Sequence, residues 1–518
     1  MGGMQFPGPR LAAPRSRIVA PAVAASLALI AVLTGAKGVD LAAATYRVEL
    51  FARSGLTLWD SPWYGGHWTF DYSVLFAPVA WVAGIPALEI VCVAVAAWAF
   101  DRLAVAPFGR AGRLGALAFA IGTVVQVVIG QEPYLLGETI GLVALVAARA
   151  RRWQLSLPLG VAAALASPLA GAFLGLAAIA WMIGHRLARR WDVIALAAAG
   201  LVPVGVLEVL FPGQGVMPFE LPNFFGMLLA TILIGTVALR RERAIAAGVA
   251  LYAAALIFTY AIPSAVGNNI TRLGVCFGLA LVVALARGSG RRGRLVLAAA
   301  AVPLALAQWI PAAKPLLGVS NASTRSAYFQ PLLGYLRTAD RPLGRVEVVP
   351  TSLHWEAAYV APSFPLARGW ERQLDTANNA IFYTPGRLDA RTYRAWLFAN
   401  GVRFVALPDV QLDYAAVAEG RLVRHGVPGL RLVWESPHWR VYAVAGAPGL
   451  VSGPARLVRS SGSQVTVDAT RPGTVIVRER YVKAWQVARG HATVSPAPGG
   501  WLRVQVRKAG LVELRVDL

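Results

Sequence analysis

The 518-residue sequence is 57% hydrophobic and only 14% charged, with a net charge of +23 from 49 Lys and Arg against 26 Asp and Glu. Soluble globular chains carry about 25% charged residues, so this composition excludes an ordinary soluble protein and points to a chain solvated largely by lipid. The two cysteines, Cys92 and Cys276, lie in separate apolar segments without the partner spacing of a disulfide framework or a zinc site.

In chain order, a basic tail (1–17) precedes a region (18–314) in which long apolar runs alternate with short arginine clusters. Eleven membrane passes are predicted, at about 18–36, 73–100, 113–129, 134–149, 155–167, 169–185, 193–211, 223–239, 244–262, 271–287 and 295–312. The fifth and sixth are short and meet at Ser167-Pro168; proline disfavours helix in the residue before it, so a hairpin of two short helices is expected there. Small-residue spacings at Gly137/Gly141 and Gly171/Gly175 would let neighbouring helices approach closely.

Of the 24 Lys and Arg up to Lys314, 19 fall in every second connection, from Arg10 to Arg294. The positive-inside rule then places the N-terminus in the cytoplasm, and eleven passes leave the C-terminal region outside a cell membrane. These arginines are short topological anchors without aromatic interleaving, which argues against nucleic acid as a partner. The first apolar segment reads as an uncleaved helix rather than a signal peptide, since no clear cleavage site precedes Asp40. Gly288-Ser-Gly290-Arg-Arg-Gly293 spells a dinucleotide fingerprint but lies between two passes instead of between a strand and a helix.

The outward connections collect carboxylates close to the hydrocarbon edge, where charge is costly and often functional: Asp40, Glu49, Asp60, Asp71, Glu132, Glu138 and Glu220. The first outward connection (37–72) is the densest. After Asp40, residues 41–53 have the spacing of an amphipathic helix lying on the bilayer surface. Then come Trp59-Asp60 and Trp63-Tyr64-Gly65-Gly66-His67-Trp68, whose aromatics suit either an interfacial belt or packing. A second cluster is Gly130-Gln131-Glu132 with Glu138 further on; a third is Asn268, Asn269 and Arg272. Arg272 is suited to a lipid phosphate, to an ion pair with one of these acids, or to snorkelling toward headgroups.

Beyond 314 the pattern changes. Residues 315–450 read as an α/β unit, with helices near 325–338 and 388–399, strands at 345–349 and 402–407, and a hairpin around 431–444. Residues 451–518 alternate as a small antiparallel sandwich, with strands at 464–468, 474–479, 502–506 and 511–516. His354, Glu356 and Trp370 combine aromatic and charged groups as sugar-binding surfaces do, and are candidates for acceptor contact.

The order of these parts resembles the GT-C superfamily of polyprenyl-phosphate-sugar-dependent membrane glycosyltransferases, including its protein-mannosyltransferase-like members. The likeness rests on Asp40, Trp59-Asp60 and Gly65-Gly66 in the first outer loop, the Gly130-Gln131 turn, the Ser167-Pro168 hairpin and the C-terminal domain. It implies a polytopic helical membrane protein that transfers a sugar from a polyprenyl-phosphate donor to a glycan or protein acceptor outside. An outer-loop acid would be the general base: Asp40, with Asp60 as second candidate, because Leu41 replaces the second of two adjacent acids in many members. Arg272 would hold the donor phosphate, and Trp59, His67, Gln131, Glu132, Glu138, Asn268 and Asn269 would shape the pocket. No cofactor or metal is implied beyond the lipid-linked sugar. A lipid-linked-sugar flippase and a non-catalytic envelope protein are the alternatives.

Overall fold

The computed structural model describes residues 18–186, 190–213, 215–317, 321–339 and 344–517; the predicted tail 1–17 and Arg189 lie outside the described residues. The apolar region folds as helices: α1 (Val19–Leu33), α2 (Leu41–Ser54), α3 (Phe76–Ala83), α4 (Ile85–Phe108), α5 (Arg110–Ile129), α6 (Glu132–Arg149), α7 (Trp153–Ala166), α8 (Pro168–Gly184), α9 (Trp191–Leu210), α10 (Leu221–Ala238), α11 (Arg243–Ala261), α12 (Arg272–Ala286) and α13 (Arg291–Leu317). Among the described residues, six helices are long and apolar enough to cross a membrane, or seven if α3 and α4 form one broken span; α1, α7 and α8 are apolar but shorter.

The expected continuous pass at 73–100 is broken. Gly84 adopts φ +77, and α3 and α4 meet at 107°. Glycine tolerates this left-handed backbone, and Pro86 then suits the first turn of the helix that restarts at Ile85. At Ser167 the backbone is extended (φ −157, ψ 117), so α7 and α8 form the expected hairpin. Glycines set the helix spacing here: a Cβ on Gly171 would lie 2.5 Å from that of Ala164, and one on Gly137 would lie 2.8 Å from that of Ala170. Because successive helices run back and forth, the described arginine clusters gather at one end of the layer. Asp40, Gln131, Ser167 and Arg272 gather at the other.

Helix α2 does not simply lie on a surface. Ala44 and Val48 pack on the helical layer. Its opposite side buries Ala42, Ala43, Tyr46 and Leu50 against Phe329, Trp355 and Leu374 of the C-terminal region. The following turn, with β1 (Trp59–Asp60) paired to β2 (His67–Trp68), is enclosed as well. Trp63 and Tyr64 are buried, and Tyr46 stacks on Trp63 at 4.3 Å. These aromatics form a core between layers, not an interfacial belt.

The α/β unit contains α14 (Ser326–Thr338), β3 (Arg345–Val348), α15 (Glu356–Tyr359), α16 (Arg372–Asn378), α17 (Ala390–Ala399), β4 (Val402–Pro408), α18 (Val417–His425), β5 (Leu430–Glu435) and β6 (Trp439–Val444). Its sheet runs β3-β4-β6-β5, with β3 and β4 parallel and the other pairs antiparallel. Two four-stranded antiparallel sheets follow. One is built from β7 (Val451–Ser452), β10 (Gly473–Arg480), β12 (Ala492–Pro496) and β13 (Trp501–Val506). The other is built from β8 (Ala455–Ser461), β9 (Gln464–Ala469), β11 (Trp485–Arg489) and β14 (Gly510–Val516). Their inward Val and Leu side chains form one core, which Trp59 and Trp68 of the first loop join.

Candidate active site

The site begins with a backbone contact. The Asp40 N–H donates to the Ile129 carbonyl at 3.1 Å, which ties the start of α2 to the end of α5. Glycine is needed on both sides of that contact. A Cβ on Gly38 would fall 2.0 Å from the Ile129 oxygen, and one on Gly130 (φ +94) would fall 2.2 Å from the Leu41 nitrogen. This packing holds Asp40 beside Gln131. Although Asp40 occupies the position just before α2, its carboxylate caps no backbone N–H, so it is free for other partners.

Asp40 opens into a cavity of about 700 Å³ between the helical layer and the α/β unit. Arg272, the first residue of α12, faces it with Nη2 3.9 Å from Asp40 Oδ2. That separation is long for a committed ion pair, and the guanidinium also lies over the Tyr134 ring at 5.4 Å. The Asp40 side chain keeps 23% of its surface accessible. Burial raises its pKa above the ordinary carboxylate value, opposed by the charges of Arg272 and His354 and by the nearby polar groups of Gln131 and Trp370. A carboxylate raised in this way is a stronger proton acceptor. Gln131, Asn268 and Asn269 line the same cavity, and the buried Asn268 Oδ1 has no partner among the described residues.

Other expected site residues stand elsewhere. Asp60 is fully buried, accepts the Tyr46 hydroxyl at 2.8 Å and is absent from the cavity wall. Burial pushes its pKa up to about 7, while burial and Arg47 hold His67 down to about 3, so at neutral pH that imidazole is uncharged. Trp59 packs on Trp68 and Trp485, a structural position rather than a pocket wall. Glu132 is buried beside Glu89, and neither of its carboxylate oxygens has a hydrogen-bond partner among the described residues. His354 and Glu356 are buried too, out of reach of a bulky acceptor, whereas Trp370 is half-buried and lines the cavity.

Glu138 faces a second cavity, of about 790 Å³, which is overwhelmingly apolar and runs between α6, α8, α11 and α12. On α6 its wall extends from Tyr134 to Arg149, about 22 Å at 1.5 Å per residue, most of the roughly 30 Å hydrocarbon thickness. Helix α12 separates the two spaces. Arg272, Val275 and Cys276 face the polar cavity, whereas Leu273, Gly274, Phe277 and Gly278 face the apolar one. Glu138 accepts from Gln126 Nε2 at 2.8 Å, so its buried carboxyl has one polar partner.

Two features escape sequence reading. Arg47 of α2 lines the polar cavity and forms a buried ion pair with Glu371, which joins the first loop to the α/β unit. Removing one member of such a pair costs about 3–5 kcal/mol. Residues 370–373 roof the cavity, with Arg372 held by Asp413 at 2.9 Å. The signal in the sequence was a basic residue facing outward at 47 and an aromatic–charged run at 368–373; nothing local reveals that they meet.

Among solved structures, the chain is similar to the arabinofuranosyltransferase AftD from Mycobacteria, with a TM-score of 0.49 and 18% identity over 89% of this chain and 41% of that one. A mutant form of the same enzyme matches with a TM-score of 0.46 and 14% identity, covering 98% of this chain and 60% of the other. The chain thus spans 41% to 60% of the length of these neighbours. No protein-family model matches it, and no curated protein matches it.

Proposed function

We propose that this chain is a multi-pass membrane glycosyltransferase of the GT-C kind that moves a sugar from a polyprenyl-phosphate donor to an acceptor hydroxyl on the extracytoplasmic side. One observation carries the reading: a carboxylate and a guanidinium, 232 positions apart in the sequence, meet 3.9 Å from each other on the wall of a polar cavity, next to a deep apolar cavity. Asp40 takes the proton of the attacking hydroxyl, and the hydroxyl oxygen forms the new bond to the anomeric carbon. The bond from that carbon to the phosphate oxygen breaks, and Arg272 stabilises the departing lipid phosphate. The prenyl chain fits the apolar cavity, which begins at Tyr134 and Gly274 beside Arg272. The arginine clusters support an N-terminus in the cytoplasm, with the α/β unit and sandwich outside.

The test is sugar transfer by purified protein from labelled polyprenyl-phosphate sugars, pentofuranosyl and hexosyl donors in parallel, to a synthetic oligosaccharide acceptor. Transfer that is lost in Asp40→Asn and kept in Asp60→Asn supports the reading; transfer unaltered in Asp40→Asn overturns it.

A further inference from the structure

The polar cavity has a second end, reached along α2. Asp40, Ala43 and Arg47 stand at i, i+3 and i+7, which is one face of the helix, and all three line the cavity. Seven residues at 1.5 Å of rise set Arg47 about 10 Å along the axis from Asp40. Ala43, between them, offers only a methyl group, so the floor of the cavity stays open there. The Arg47 guanidinium is fixed from three sides. Glu371 takes Nη2 in the buried ion pair, and the rings of Tyr72 and Trp63 lie 4.1 Å and 5.7 Å from Cζ. Glu371 is held in turn: its main-chain N–H donates to the Tyr64 hydroxyl at 2.9 Å, and that hydroxyl donates to the Glu371 carbonyl at 3.2 Å.

One nitrogen of that guanidinium is left over. Nη1 is buried without a hydrogen-bond partner among the described residues, on a side chain only 6% exposed that borders the cavity. A buried N–H without a partner is costly and rare, whereas a donor fixed at a cavity wall is what orients a ligand hydroxyl. The charges around it cancel in pairs, Arg47 with Glu371 and Arg372 with Asp413. Arg272 faces Asp40 at the other end, where the proposed reaction places the donor phosphate. An N–H with no net charge beside it suits a neutral hydroxyl better than an anion. Resting on the reading of Asp40 as the base, we infer that Arg47 is an acceptor-specificity residue. The ring that carries the attacking hydroxyl lies over Ala43, and a hydroxyl of the next ring accepts a hydrogen bond from Arg47 Nη1. The favoured acceptor is therefore a neutral glycan of at least two sugar rings.

The test uses the full-length protein with labelled pentofuranosyl and hexosyl polyprenyl-phosphate donors, and methyl glycosides of one and of two rings as acceptors. Its readout is the ratio of kcat/KM for the two-ring acceptor to that for the one-ring acceptor. Arg47→Lys keeps a charge beside Glu371 but loses the planar fork. The double variant Arg47→Met with Glu371→Gln removes both charges, so that neither is buried alone. The wild type prefers two rings, and in each variant the ratio falls roughly tenfold, the effect of about one hydrogen bond from a charged donor. A purely structural defect lowers both acceptors alike and leaves the ratio where it was. A ratio unchanged in both variants overturns the inference. So does a raised KM for the donor at constant ratio, which would assign Nη1 to the donor sugar. Wild-type transfer with an unchanged ratio removes this subsite alone, whereas no transfer from either donor removes the reading beneath it as well.

Discussion

Asp40 and Asp60 lie in the same outer loop, twenty positions apart, yet the fold treats them in opposite ways. Asp40 is held at a rim by the Gly38 and Gly130 contacts, keeps part of its surface open and faces a loosely paired arginine. Asp60 is sealed under Tyr46 in the wedge between the α/β unit and the sandwich, with burial as its dominant electrostatic influence. Residue type and membrane depth are alike in sequence; what separates a group able to exchange a proton with a substrate from one that holds a loop is access to a cavity. The same contrast distinguishes the two cavities, one polar and roofed by residues 370–373, the other apolar and reaching across most of the layer.

The largest effect is expected at Asp40. Loss of a general base lowers turnover by about a thousandfold in Asp40→Asn, whereas Asp60→Asn stays within a few-fold of the wild type, as kcat measurements on labelled donor would show. Next comes Arg272→Ala, with kcat reduced by about a hundredfold because the departing phosphate loses its cation. Arg272→Lys restores part of it, since an ammonium supplies the charge without the fork. A smaller change sharpens the contrast between cavities. Gly141 lines the apolar cavity with room at its Cβ, so Gly141→Leu displaces a stretch of prenyl chain. Excluding about two methylenes costs about 1.6 kcal/mol, roughly tenfold in KM, for long-chain donors and nothing for short ones.

The mildest effect concerns stability. Asp60 has a folded pKa of about 7 against an ordinary 3.8, so folding favours its protonated form. Between about pH 4 and 7 the unfolded chain ionises this group more readily, and the fold loses stability as pH rises through that window. Asp60→Asn removes this dependence. Its thermal midpoint relative to the wild type should therefore climb from pH 4 to 7 and then level off.

The contrast also shows what was readable. The central strands β9, β10, β13 and β14 announce themselves by alternating Val and Leu. The strands β8, β11 and β12, which edge the sheets, do not, since an edge strand buries less and tolerates Arg, Gln and Thr. The apolar segments appear as helices, but the break at Gly84 was hidden inside a uniformly hydrophobic run. Within the site, Asp40, Gln131, Asn268, Asn269 and Arg272 reach one cavity because each lies at a helix end on the same side of the layer. Arg47 and Trp370 could not be assigned to it: their positions depend on the docking of the α/β unit on α2, a contact between residues more than 300 positions apart that leaves no local pattern.

The convergence of Asp40 and Arg272 on a lipid-linked sugar is tested most directly by an electron cryo-microscopy structure with a non-hydrolysable polyprenyl-phosphonate sugar bound. The phosphonate is expected within hydrogen-bonding distance of Arg272, with the anomeric carbon facing Asp40 and the prenyl chain between α6, α8 and α12. A phosphonate seated away from Arg272, or a chain lying outside the apolar cavity, would contradict that convergence.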